Sequence, residues 1–437
     1  MIELNPPVER ALLVAAVHKG RNGNSSSSSR RRDVAEHLEE LGELVDTAGA
    51  VVVGALTQQI ERPNPATFLG SGKITELREE VDRTGATLII FDDDLTPTQG
   101  KNIEDTTGRR VMDRTEVILD IFATRARSNE ARLQVELAQL EYLLPRLTRM
   151  WAHLERFKGG IGMRGPGETQ LETDRRLINH RIKVLRQRLD QVEKTRRVQR
   201  HGRRDAFRAT LVGYTNAGKS SILRGLSGSS DVFVEDRLFA TLDPLTRSIE
   251  VGENYPVLVT DTVGFIRKLP HNLVASFRAT LAEVRDADVL LHVVDASHSH
   301  WEEHLHVVEG VLSEIGASEI PVLFVFNKTD TLSEDDLRTL HDRVVAERPG
   351  SVFVSAMTEG GLEPLRRALL ASIREQRPLA EVRVPAADGR LLAEIHRTAE
   401  VLEEAHEGET VVLRARVGPG LAGKLQRGGL LVYSDTH

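Results

Sequence analysis

The feature that most constrains the fold of this chain is a glycine-rich segment, GYTNAGKSS, at Gly213–Ser221. An apolar run, Phe207–Val212, precedes this segment, and Ile222 and Leu223 begin a helical pattern after it. A strand, a glycine-rich turn and a helix in this order are typical of a loop that holds phosphate groups. Backbone N–H groups and the helix N-terminus supply positive potential there. The segment therefore predicts a phosphate-binding loop within an α/β domain.

Two side chains distinguish this segment from its alternative, an ordinary glycine turn before a helix. Lys219 can neutralise the β and γ phosphates of a nucleoside triphosphate. Ser220 supplies a hydroxyl that can take one coordination position on Mg²⁺, a hard ion that prefers oxygen ligands. A simple turn requires neither group. The pair therefore predicts a triphosphate bound together with Mg²⁺.

Two downstream segments carry groups that can sense the γ-phosphate. Thr241 lies in FATLDP, Phe239–Pro244, and is a candidate switch hydroxyl that contacts Mg²⁺ and the γ-phosphate only before hydrolysis. A strand-like run then ends in DTVG, Asp261–Gly264. Asp261 can hold a Mg²⁺-bound water, and the N–H of Gly264 can meet the γ-phosphate. Each pattern is weak alone, but their order after the phosphate loop predicts a nucleotide-operated switch.

The identity of the base is predicted by NKTD, Asn327–Asp330, which follows two strand-like apolar runs. The carboxylate of Asp330 can accept hydrogen bonds from the N1–H and N2–H₂ donors of guanine, whereas adenine would leave it unpaired. We expect Lys328 to lie along the base and Asn327 to tie this loop to the phosphate loop. Backbone N–H groups of SAM, Ser355–Met357, can reach the guanine O6.

The first third of the chain alternates strand-like and helix-like patterns, which predicts a small parallel sheet with helices on its faces. Polar, basic residues from Ser25 to Arg32 predict a mobile loop before the first helix. GSGK, Gly70–Lys73, opens a further helix; a simple helix entry is favoured there over a second phosphate site, because the full spacing is missing. The last segment predicts a small α+β appendage, with strands at Val382–Val384 and Thr410–Val417 and a helix at Leu391–Glu404.

Between these regions, leucine-rich heptad patterns predict an antiparallel helical hairpin with a glycine-rich link, Gly159–Gly167. Pro145 should kink or break its first helix. The stretch Arg175–Arg208 contains 13 Lys/Arg and 3 Asp/Glu, although the whole chain has a net charge of −7. We interpret this basic limb as a contact surface for a phosphate backbone rather than as a solvated helix face.

Composition excludes several classes of function. The chain of 437 residues has no cysteine, which excludes disulfides, thiolate nucleophiles and cysteine-rich zinc sites. No apolar run approaches the length of a membrane span, and the N-terminus lacks the pattern of a secretory signal, so we expect a cytoplasmic protein. Five histidines lack the fixed carboxylate partners of a metal site and are interpreted as incidental. They are His292, His298, His300, His304 and His306.

The ordered motifs GYTNAGKS, Thr241, DTVG, NKTD and SAM resemble the GTPase domain of the TRAFAC class. Three upstream segments resemble the HflX family of ribosome-associated GTPases. These segments are NPATFLGSGK at Asn64–Lys73, ARLQVELAQLEYLLPRL at Ala131–Leu147 and GGIGMRGPGETQLETDRR at Gly159–Arg176. The resemblance implies GTP hydrolysis, binding to the large ribosomal subunit and its rRNA, and splitting or rescue of stalled or idle ribosomes under stress. The rival interpretations are a GTPase that acts on other structured RNA, as in ribosome assembly, and a non-hydrolysing GTP-dependent scaffold.

The fold class expected from the motifs and the resemblance is α/β: a P-loop GTPase domain with an N-terminal α/β domain, a helical hairpin and a small C-terminal α+β domain. The expected bounds are 1–127, 128–204, 205–377 and 378–437. The catalytic candidates are Lys219, Thr241 and Gly264, and the candidate metal ligands are Ser220 and Thr241. The candidate nucleotide-binding residues are Gly213, Tyr214, Thr215, Asn216, Ala217, Gly218, Lys219, Ser220, Ser221, Phe239, Ala240, Thr241, Leu242, Asp261, Thr262, Val263, Gly264, Asn327, Lys328, Thr329, Asp330, Ser355, Ala356 and Met357.

One position departs from many GTPases of the Ras type, which carry a water-orienting glutamine directly after the DTVG-like motif. Here Phe265 follows Gly264 and cannot hydrogen-bond to water. We therefore expect slow hydrolysis by the free protein and faster hydrolysis on the ribosome. Asn216 resembles asparagines that ligate K⁺ in some cation-dependent GTPases, with structural hydrogen bonding as the equal alternative. The expected cofactors are GTP, as substrate, and Mg²⁺, with K⁺ left open, and the expected state is a monomer.

Overall fold

The computed structural model describes residues 8–18, 27–150, 166–201, 206–229, 235, 237–252, 255–270, 273, 283–377 and 379–433. Contacts divide the chain into two compact units. The first unit comprises Met1–Leu189, Arg237–Phe239 and Leu269–Ser276, and the second comprises Asp190–Asp236, Ala240–Lys268 and Phe277–His437. Within the described ranges each unit is built from helices packed on sheets, so the predicted α/β class is confirmed. No helix among the described residues has the length and hydropathy needed to cross a membrane.

The first unit contains a four-stranded parallel sheet with the strand order β2-β1-β3-β4. Its strands are β1 (Arg10–His18), β2 (Val51–Ile60), β3 (Leu88–Phe91) and β4 (Arg110–Asp113). Its helices are α1 (Ser27–Ala48), α2 (Ser71–Thr84), α3 (Pro97–Thr107) and α4 (Arg114–Arg125). Every residue of β3 is buried, as expected for a parallel strand covered on both faces. The predicted parallel sheet is therefore present.

The first helix begins earlier than the sequence predicted. Ser27–Ser29 and Arg30–Arg32 form the first turns of α1 rather than a loop, and Ser25 lies outside the described residues. Further along this helix Leu41, Leu44 and Val45 are fully buried. Packing of this apolar face stabilises the helix, and its polar first turns extend from that anchored part because elongation is easier than nucleation.

Two long helices follow, α5 (Asn129–Met150) and α6 (Pro166–His201). They share a core of leucine and isoleucine side chains in which Leu185 is fully buried. Its members are Leu133, Leu137, Ile182, Leu185 and Leu189, with Leu140, Leu144 and Ile178 packed against them. Helix α5 continues through Pro145, so the predicted break does not occur. The glycine-rich link lies mostly outside the described residues.

More of the positive charge on the basic limb is paired with carboxylates than the sequence suggested. Arg181 pairs with Glu136 at 2.6 Å and Arg186 with Glu141 at 2.7 Å, because α5 presents carboxylates to α6. Four further basic residues of α6 make no ion pair with a residue that the structure describes. They are Arg175, Arg176, Lys183 and Arg188, and all four are exposed. The unpaired part of the surface is therefore a subset of the predicted one.

The second unit contains a six-stranded sheet with the order β10-β9-β8-β5-β7-β6, in which β6 alone runs antiparallel to its neighbour. Its strands are β5 (Phe207–Gly213), β6 (Leu245–Val251), β7 (Tyr255–Asp261), β8 (Val289–Asp295), β9 (Val322–Asn327) and β10 (Val352–Phe353). Its helices are α7 (Lys219–Ser227), α8 (Trp301–Glu314), α9 (Glu334–Glu347) and α10 (Glu363–Gln376). Parallel strands β5, β7 and β9 end at Gly213, Asp261 and Asn327, so three predicted motifs meet at one sheet edge, where α/β sheets bind ligands.

The same unit ends in a four-stranded antiparallel sheet with the order β12-β13-β11-β14. Its elements are β11 (Leu379–Pro385), α11 (Gly389–Thr398), β12 (Glu400–Glu407), β13 (Thr410–Arg416), α12 (Pro419–Arg427) and β14 (Leu431–Tyr433). The helix predicted to reach Glu404 ends at Thr398, because Ala399 is extended and the following residues pair with β13. Backbone pairing with a distant strand therefore overrides the local helical pattern here.

Glu400 joins this C-terminal sheet to the six-stranded sheet. Its carboxylate accepts a hydrogen bond of 2.7 Å from the hydroxyl of Tyr255, at the start of β7. It also pairs with Arg374 near the end of α10 and with Arg416 on β13. The guanidinium of Arg377 lies 5.2 Å from the centroid of the Tyr255 ring. One carboxylate therefore fastens strands and a helix from both parts of the unit.

Candidate functional site

The phosphate loop takes the backbone form that its glycines predicted. Gly218 has a φ of 92° and directly precedes α7. A Cβ atom at this position would lie 2.2 Å from the side-chain nitrogen of Asn327, so only glycine fits beside that amide. The loop therefore wraps closely around the N-terminus of α7, whose free N–H groups favour an anion.

Lys219 is buried behind the loop and folded back on its backbone. Its ammonium donates hydrogen bonds to the carbonyl oxygens of Gly213 at 3.1 Å and Tyr214 at 2.7 Å. Burial lowers the pKa of Lys219 to about 8, although the negative charge of Asp261 partly opposes this shift. A phosphate group would supply the second charge that this buried ammonium lacks, so the side chain is suited to bind an anion.

Three oxygen-bearing side chains from separate segments converge next to Lys219. The hydroxyl of Ser220 donates to Oδ2 of Asp261 at 2.6 Å, and the hydroxyl of Thr241 donates to the same oxygen at 3.0 Å. The two hydroxyls are 2.8 Å apart. Burial raises the pKa of Asp261, whose side chain is 1% exposed. The predicted metal-binding hydroxyls and the DTVG aspartate are thus brought together.

This cluster fits a hard divalent cation. The second carboxylate oxygen of Asp261, Oδ1, is buried and has no hydrogen-bond partner among the described residues. An orphaned carboxylate oxygen is costly to bury unless a cation or a water satisfies it. Hydroxyl and carboxylate oxygens are the ligands that Mg²⁺ accepts, directly or through bound water. The donor set therefore agrees with the sequence-based expectation of Mg²⁺.

The segment after Asp261 is fastened to the phosphate loop. The N–H of Phe265 donates to the carbonyl of Gly213 at 3.1 Å, and the N–H of Thr215 donates to the carbonyl of Phe265 at 2.7 Å. Gly264 lies so close that an added Cβ would be 2.6 Å from Cα of Thr215 and 3.1 Å from Nζ of Lys219. The Phe265 side chain is 1% exposed, so it forms part of the interior and cannot orient a water molecule.

Asn327 connects the phosphate loop to the predicted base-binding loops. Its side-chain nitrogen donates to the carbonyl of Ala217 at 3.0 Å, and its side-chain oxygen accepts from the N–H of Ala356 at 3.2 Å. The side chain is buried at 2% exposure. A single amide therefore connects the phosphate loop, the NKTD segment and the SAM segment; the sequence predicted the link to the phosphate loop but not the link to the SAM segment.

The other predicted base-binding residues lie in the NKTD and SAM segments, and among them the carboxylate of Asp330 is accessible. Asp330 is exposed in a short 3₁₀ turn, Thr329–Thr331. The hydroxyl of Thr329 donates to the carbonyl of Val354, and the Ser355 hydroxyl accepts from the N–H of Met357, which is 73% exposed. Asp330 is therefore free of the sheet and available at the surface, while its neighbours are fixed.

Lys328 occupies a left-handed backbone conformation with a φ of 64°. Its ammonium lies 2.7 Å from a carboxylate oxygen of Asp295, at the end of β8. Sequence reasoning predicted the lysine and missed the aspartate. The signal that could have found it is its position, because Asp295 terminates an apolar strand at the same sheet edge.

The other candidate residues belong to the phosphate loop and to the segments beside it. Phe239 has a φ of 54° and is 1% exposed; it belongs to the first compact unit, where its ring packs edge to face on Phe122 at 4.8 Å. Its side chain is therefore part of the apolar packing of that unit. Asn216 is exposed with a φ of 60°. Ser221, Ala240 and Gly218 are half-buried, and Ala217, Leu242, Thr262 and Val263 are buried.

Two of the five histidines are buried. His292 is 1% exposed in the centre of β8 and lies 5.4 Å from the ring of Phe324. His304 stacks on Tyr214 of the phosphate loop, with ring centroids 3.7 Å apart. Sequence reasoning missed this stack, since it joins residues from the loop and a distant helix. The only signal was the presence of two rings, which does not reveal their contact.

The GSGK segment does open a helix, α2, with Gly70 at its N-cap. The ammonium of Lys73 is paired with Glu76 at 2.7 Å on the same helix. This lysine is therefore engaged by a neighbouring carboxylate, in agreement with the predicted helix entry.

Family models match most of the chain. A model described as the GTP-binding GTPase N-terminal region matches residues 35–123, and one described as the GTP-binding GTPase middle region matches residues 125–203. A third model, described as 50S ribosome-binding GTPase, matches residues 208–328. The three matches follow one another without overlap in the order of the structural regions.

Curated relatives named GTPase HflX are similar over most of their length. The protein from Flavobacterium psychrophilum is 48% identical over 78% of this chain and 86% of its own. The Escherichia coli protein is 46% identical over 87% of this chain and 90% of its own. The Magnetococcus marinus protein is 42% identical over 98% of this chain and 96% of its own.

Among solved structures, one similar chain is a GTP-binding protein from the hyperthermophilic archaeon Sulfolobus solfataricus in complex with GDP. It is 25% identical, with a TM-score of 0.42, over 84% of this chain and 98% of that chain.

Proposed function

The chain belongs to the HflX family of GTPases and is therefore a GTP-hydrolysing enzyme with a P-loop domain. We propose that it binds and hydrolyses GTP at the site described above and that it acts on the large ribosomal subunit. The observation that carries the site assignment is the meeting of Ser220, Thr241 and Asp261 beside Lys219. Asn327 then links these groups to the exposed Asp330 loop. Phosphate, metal and base contacts are thereby available at one sheet edge.

The residues of this site divide the work between the two ends of GTP. The loop 213–221 and Lys219 hold the phosphates, and Asp330 with the N–H groups of 355–357 selects guanine. Ser220 and Thr241 would hold Mg²⁺, with Asp261 acting through a bound water. When bound, this ion neutralises charge that develops on the phosphate oxygens.

Hydrolysis also needs a positioned water and a backbone that follows the γ-phosphate. Gly264 offers its N–H beside Lys219, and Thr241 offers a hydroxyl that is released when the phosphate leaves. Phe265 is buried and cannot hydrogen-bond to the attacking water. The free enzyme is therefore slow, and docking on the ribosome completes the water-positioning groups.

The surface that supports a ribosomal partner is the unpaired basic face of α6. Arg175, Arg176, Lys183 and Arg188 are exposed and make no ion pair with a described residue, so their charges are available to phosphate groups. The family model described as 50S ribosome-binding GTPase matches residues 208–328, in the domain that follows this helix. By resemblance, this contact serves to split or rescue stalled or idle ribosomes under stress.

The same proposal includes a cytoplasmic monomer with four functional regions, 1–127, 128–204, 205–377 and 378–437. Separate hydrophobic cores in the N-terminal sheet, the α5–α6 pair, the six-stranded sheet and the C-terminal sheet support this division. Asn216 is a candidate K⁺ ligand because it is exposed on the phosphate loop. Equal hydrolysis rates in K⁺ and Na⁺ would remove that assignment.

Sedimentation with ribosomal particles tests the proposal. The full chain is centrifuged with large subunits, small subunits, precursor particles or free rRNA, each in the presence of GTP, GDP or a non-hydrolysable GTP analogue. We expect the protein to follow the large subunit with the analogue and to be released with GDP. Binding to precursor particles or free rRNA alone would support a role in assembly, and an absence of phosphate release on large subunits would support a scaffold.

A further inference from the structure

A ring stack fixes the second residue of the phosphate loop. The rings of Tyr214 and His304 are 3.7 Å apart between centroids and only 3° from parallel. Tyr214 is 6% exposed and His304 is 9% exposed, so the contact is shielded from water. Burial and, to a smaller extent, the nearby His298 lower the pKa of His304 to about 3. The imidazole is therefore neutral at physiological pH, and helix α8 provides a permanent flat support for the phenol ring.

The hydroxyl of Tyr214 is aimed at the segment that follows DTVG. Its oxygen accepts a hydrogen bond of 3.0 Å from the backbone N–H of Arg267. Together with the two backbone bonds between Phe265 and the phosphate loop, this gives three hydrogen bonds across the same junction. Tyr214 supplies the only one of these three that depends on a side chain.

The junction matters because it sets the position of Gly264. That glycine is pressed against Thr215 and lies beside the ammonium of Lys219. Its N–H must meet the γ-phosphate during hydrolysis, and displacement by 1 Å is enough to weaken such a contact strongly. Phe265 cannot hydrogen-bond to the attacking water. Hydrolysis by the free enzyme therefore depends more strongly on accurate placement of the Gly264 backbone.

We propose that Tyr214 is a positioning residue for GTP hydrolysis, whose hydroxyl holds the backbone at Arg267 so that Gly264 stays aligned with the γ-phosphate. The proposal rests on the site assignment made above and does not depend on ribosome binding. Its phenol acts through the Gly264 backbone rather than on the reacting atoms. The loop lysine and the metal-binding hydroxyls keep their own contacts when the phenol hydroxyl is removed.

The test compares Tyr214→Phe with wild type in the full chain. We expect the single-turnover rate of GTP hydrolysis to fall about five- to tenfold, the range that corresponds to losing one neutral hydrogen bond. The dissociation constant for a fluorescent GDP analogue should change less than about twofold, because GDP has no γ-phosphate for Gly264 to meet. Tyr255→Phe is the matched control: it removes a buried tyrosine hydroxyl bonded to Glu400, and its hydrolysis rate should equal that of wild type.

A second pair of variants separates the stack from the hydroxyl. His304→Phe keeps an aromatic support and should retain the wild-type rate, whereas His304→Ala frees the phenol and should slow hydrolysis with GDP affinity retained. A wild-type rate in Tyr214→Phe overturns the proposal, and so does a loss of rate matched by an equal loss of GDP affinity. If wild type itself releases no phosphate from GTP, the proposed hydrolysis at this site fails instead, so the two failures are distinguishable.

Discussion

We propose that nucleotide choice depends on Asp330. It stands exposed beyond β9, while Thr329 and Asn327 beside it are held by hydrogen bonds. An ionised carboxylate only accepts hydrogen bonds, so at this position it favours a base edge that carries donors. We therefore expect selection of the base to depend mainly on this one side chain.

This leads to a prediction for Asp330→Asn. The amide loses the charged contact with guanine, so GTP affinity should fall by roughly a hundredfold, the equivalent of about 2–3 kcal/mol for a charge-assisted bond. Xanthine carries a carbonyl at C2, to which the new amide can donate, so affinity for xanthosine triphosphate should rise. Competition binding measures both. Asp335→Asn, on the exposed start of α9, serves as the control, and unchanged GTP affinity in Asp330→Asn would contradict the assignment.

His292 makes a separate prediction about acid stability. Burial, followed by the charge of Arg348, lowers the pKa of His292 to about 3, compared with about 6.5 in an unfolded chain. Between these values the unfolded chain binds a proton that the folded chain does not, so stability falls as the pH drops below about 6.5. The slope from this residue approaches ~1.4 kcal/mol per pH unit.

His292→Leu should therefore flatten the loss of stability between pH 7 and pH 5. His304 has a similarly lowered pKa, so about half of the combined effect should remain. Denaturant unfolding at the two pH values measures the difference in free energy. His306→Gln changes an exposed histidine and should keep the wild-type slope. An equally steep slope in His292→Leu would show that this imidazole does not stay neutral in the folded chain.

At the scale of elements, the sequence predicted those helices, strands and turns whose stability comes from residues close together in the chain. The phosphate loop and the buried strands follow from glycine positions and apolar runs. The strand at β12 could not be predicted, because its residues adopt strand form only by pairing with β13. The Arg181–Glu136 and Arg186–Glu141 pairs escaped for the same reason, since each joins residues 45 positions apart.

The unpaired face of α6 gives the prediction that belongs to this scale. Arg176→Glu combined with Lys183→Glu reverses two exposed charges seven residues apart and leaves the leucine core and both interhelical ion pairs intact. Binding to large subunits should weaken by at least about tenfold at low salt, and the slope of log affinity against log salt should be reduced by about 2. Arg338→Glu with Arg367→Glu, on helices α9 and α10, is the matched control.

Sedimentation at several salt concentrations provides the measurement for these helix variants. A loss of binding that is the same in both double variants would indicate a general effect of net charge. Binding by the α6 variant at wild-type strength and with the wild-type salt slope would exclude this face as the contact surface.

At the scale of the whole molecule, Glu400 makes the C-terminal sheet part of the second unit. Glu400→Ala removes the contacts to Tyr255 and Arg374 and should lower the free energy of unfolding by about 1–2 kcal/mol. It should also increase cleavage between α10 and β11 in limited proteolysis, because the C-terminal sheet opens more often on its own. Glu403→Ala, on the same strand and exposed, should behave like wild type. Equal cleavage of the two variants would show that the carboxylate of Glu400 does not fasten the sheet.

The whole-molecule arrangement is also where sequence reasoning reached least far. The order of the motifs predicted a nucleotide site, because three of the motifs lie at the ends of parallel strands in one sheet. Burial of Phe239 against Phe122 and the stack of His304 on Tyr214 depend on how distant segments pack, which a pattern along the chain does not encode. Chemistry carried by side-chain type was predictable, whereas chemistry carried by packing was not.

The amide of Asn327 fills the space that a side chain at position 218 would need, and it grips Ala217 and Ala356 from either side. A nucleoside that binds beside the NKTD segment should therefore also order the phosphate loop, before any phosphate group is bound. Fragments of the ligand should consequently help each other, and the intact nucleotide should bind more tightly than the separate affinities of guanosine and triphosphate would suggest.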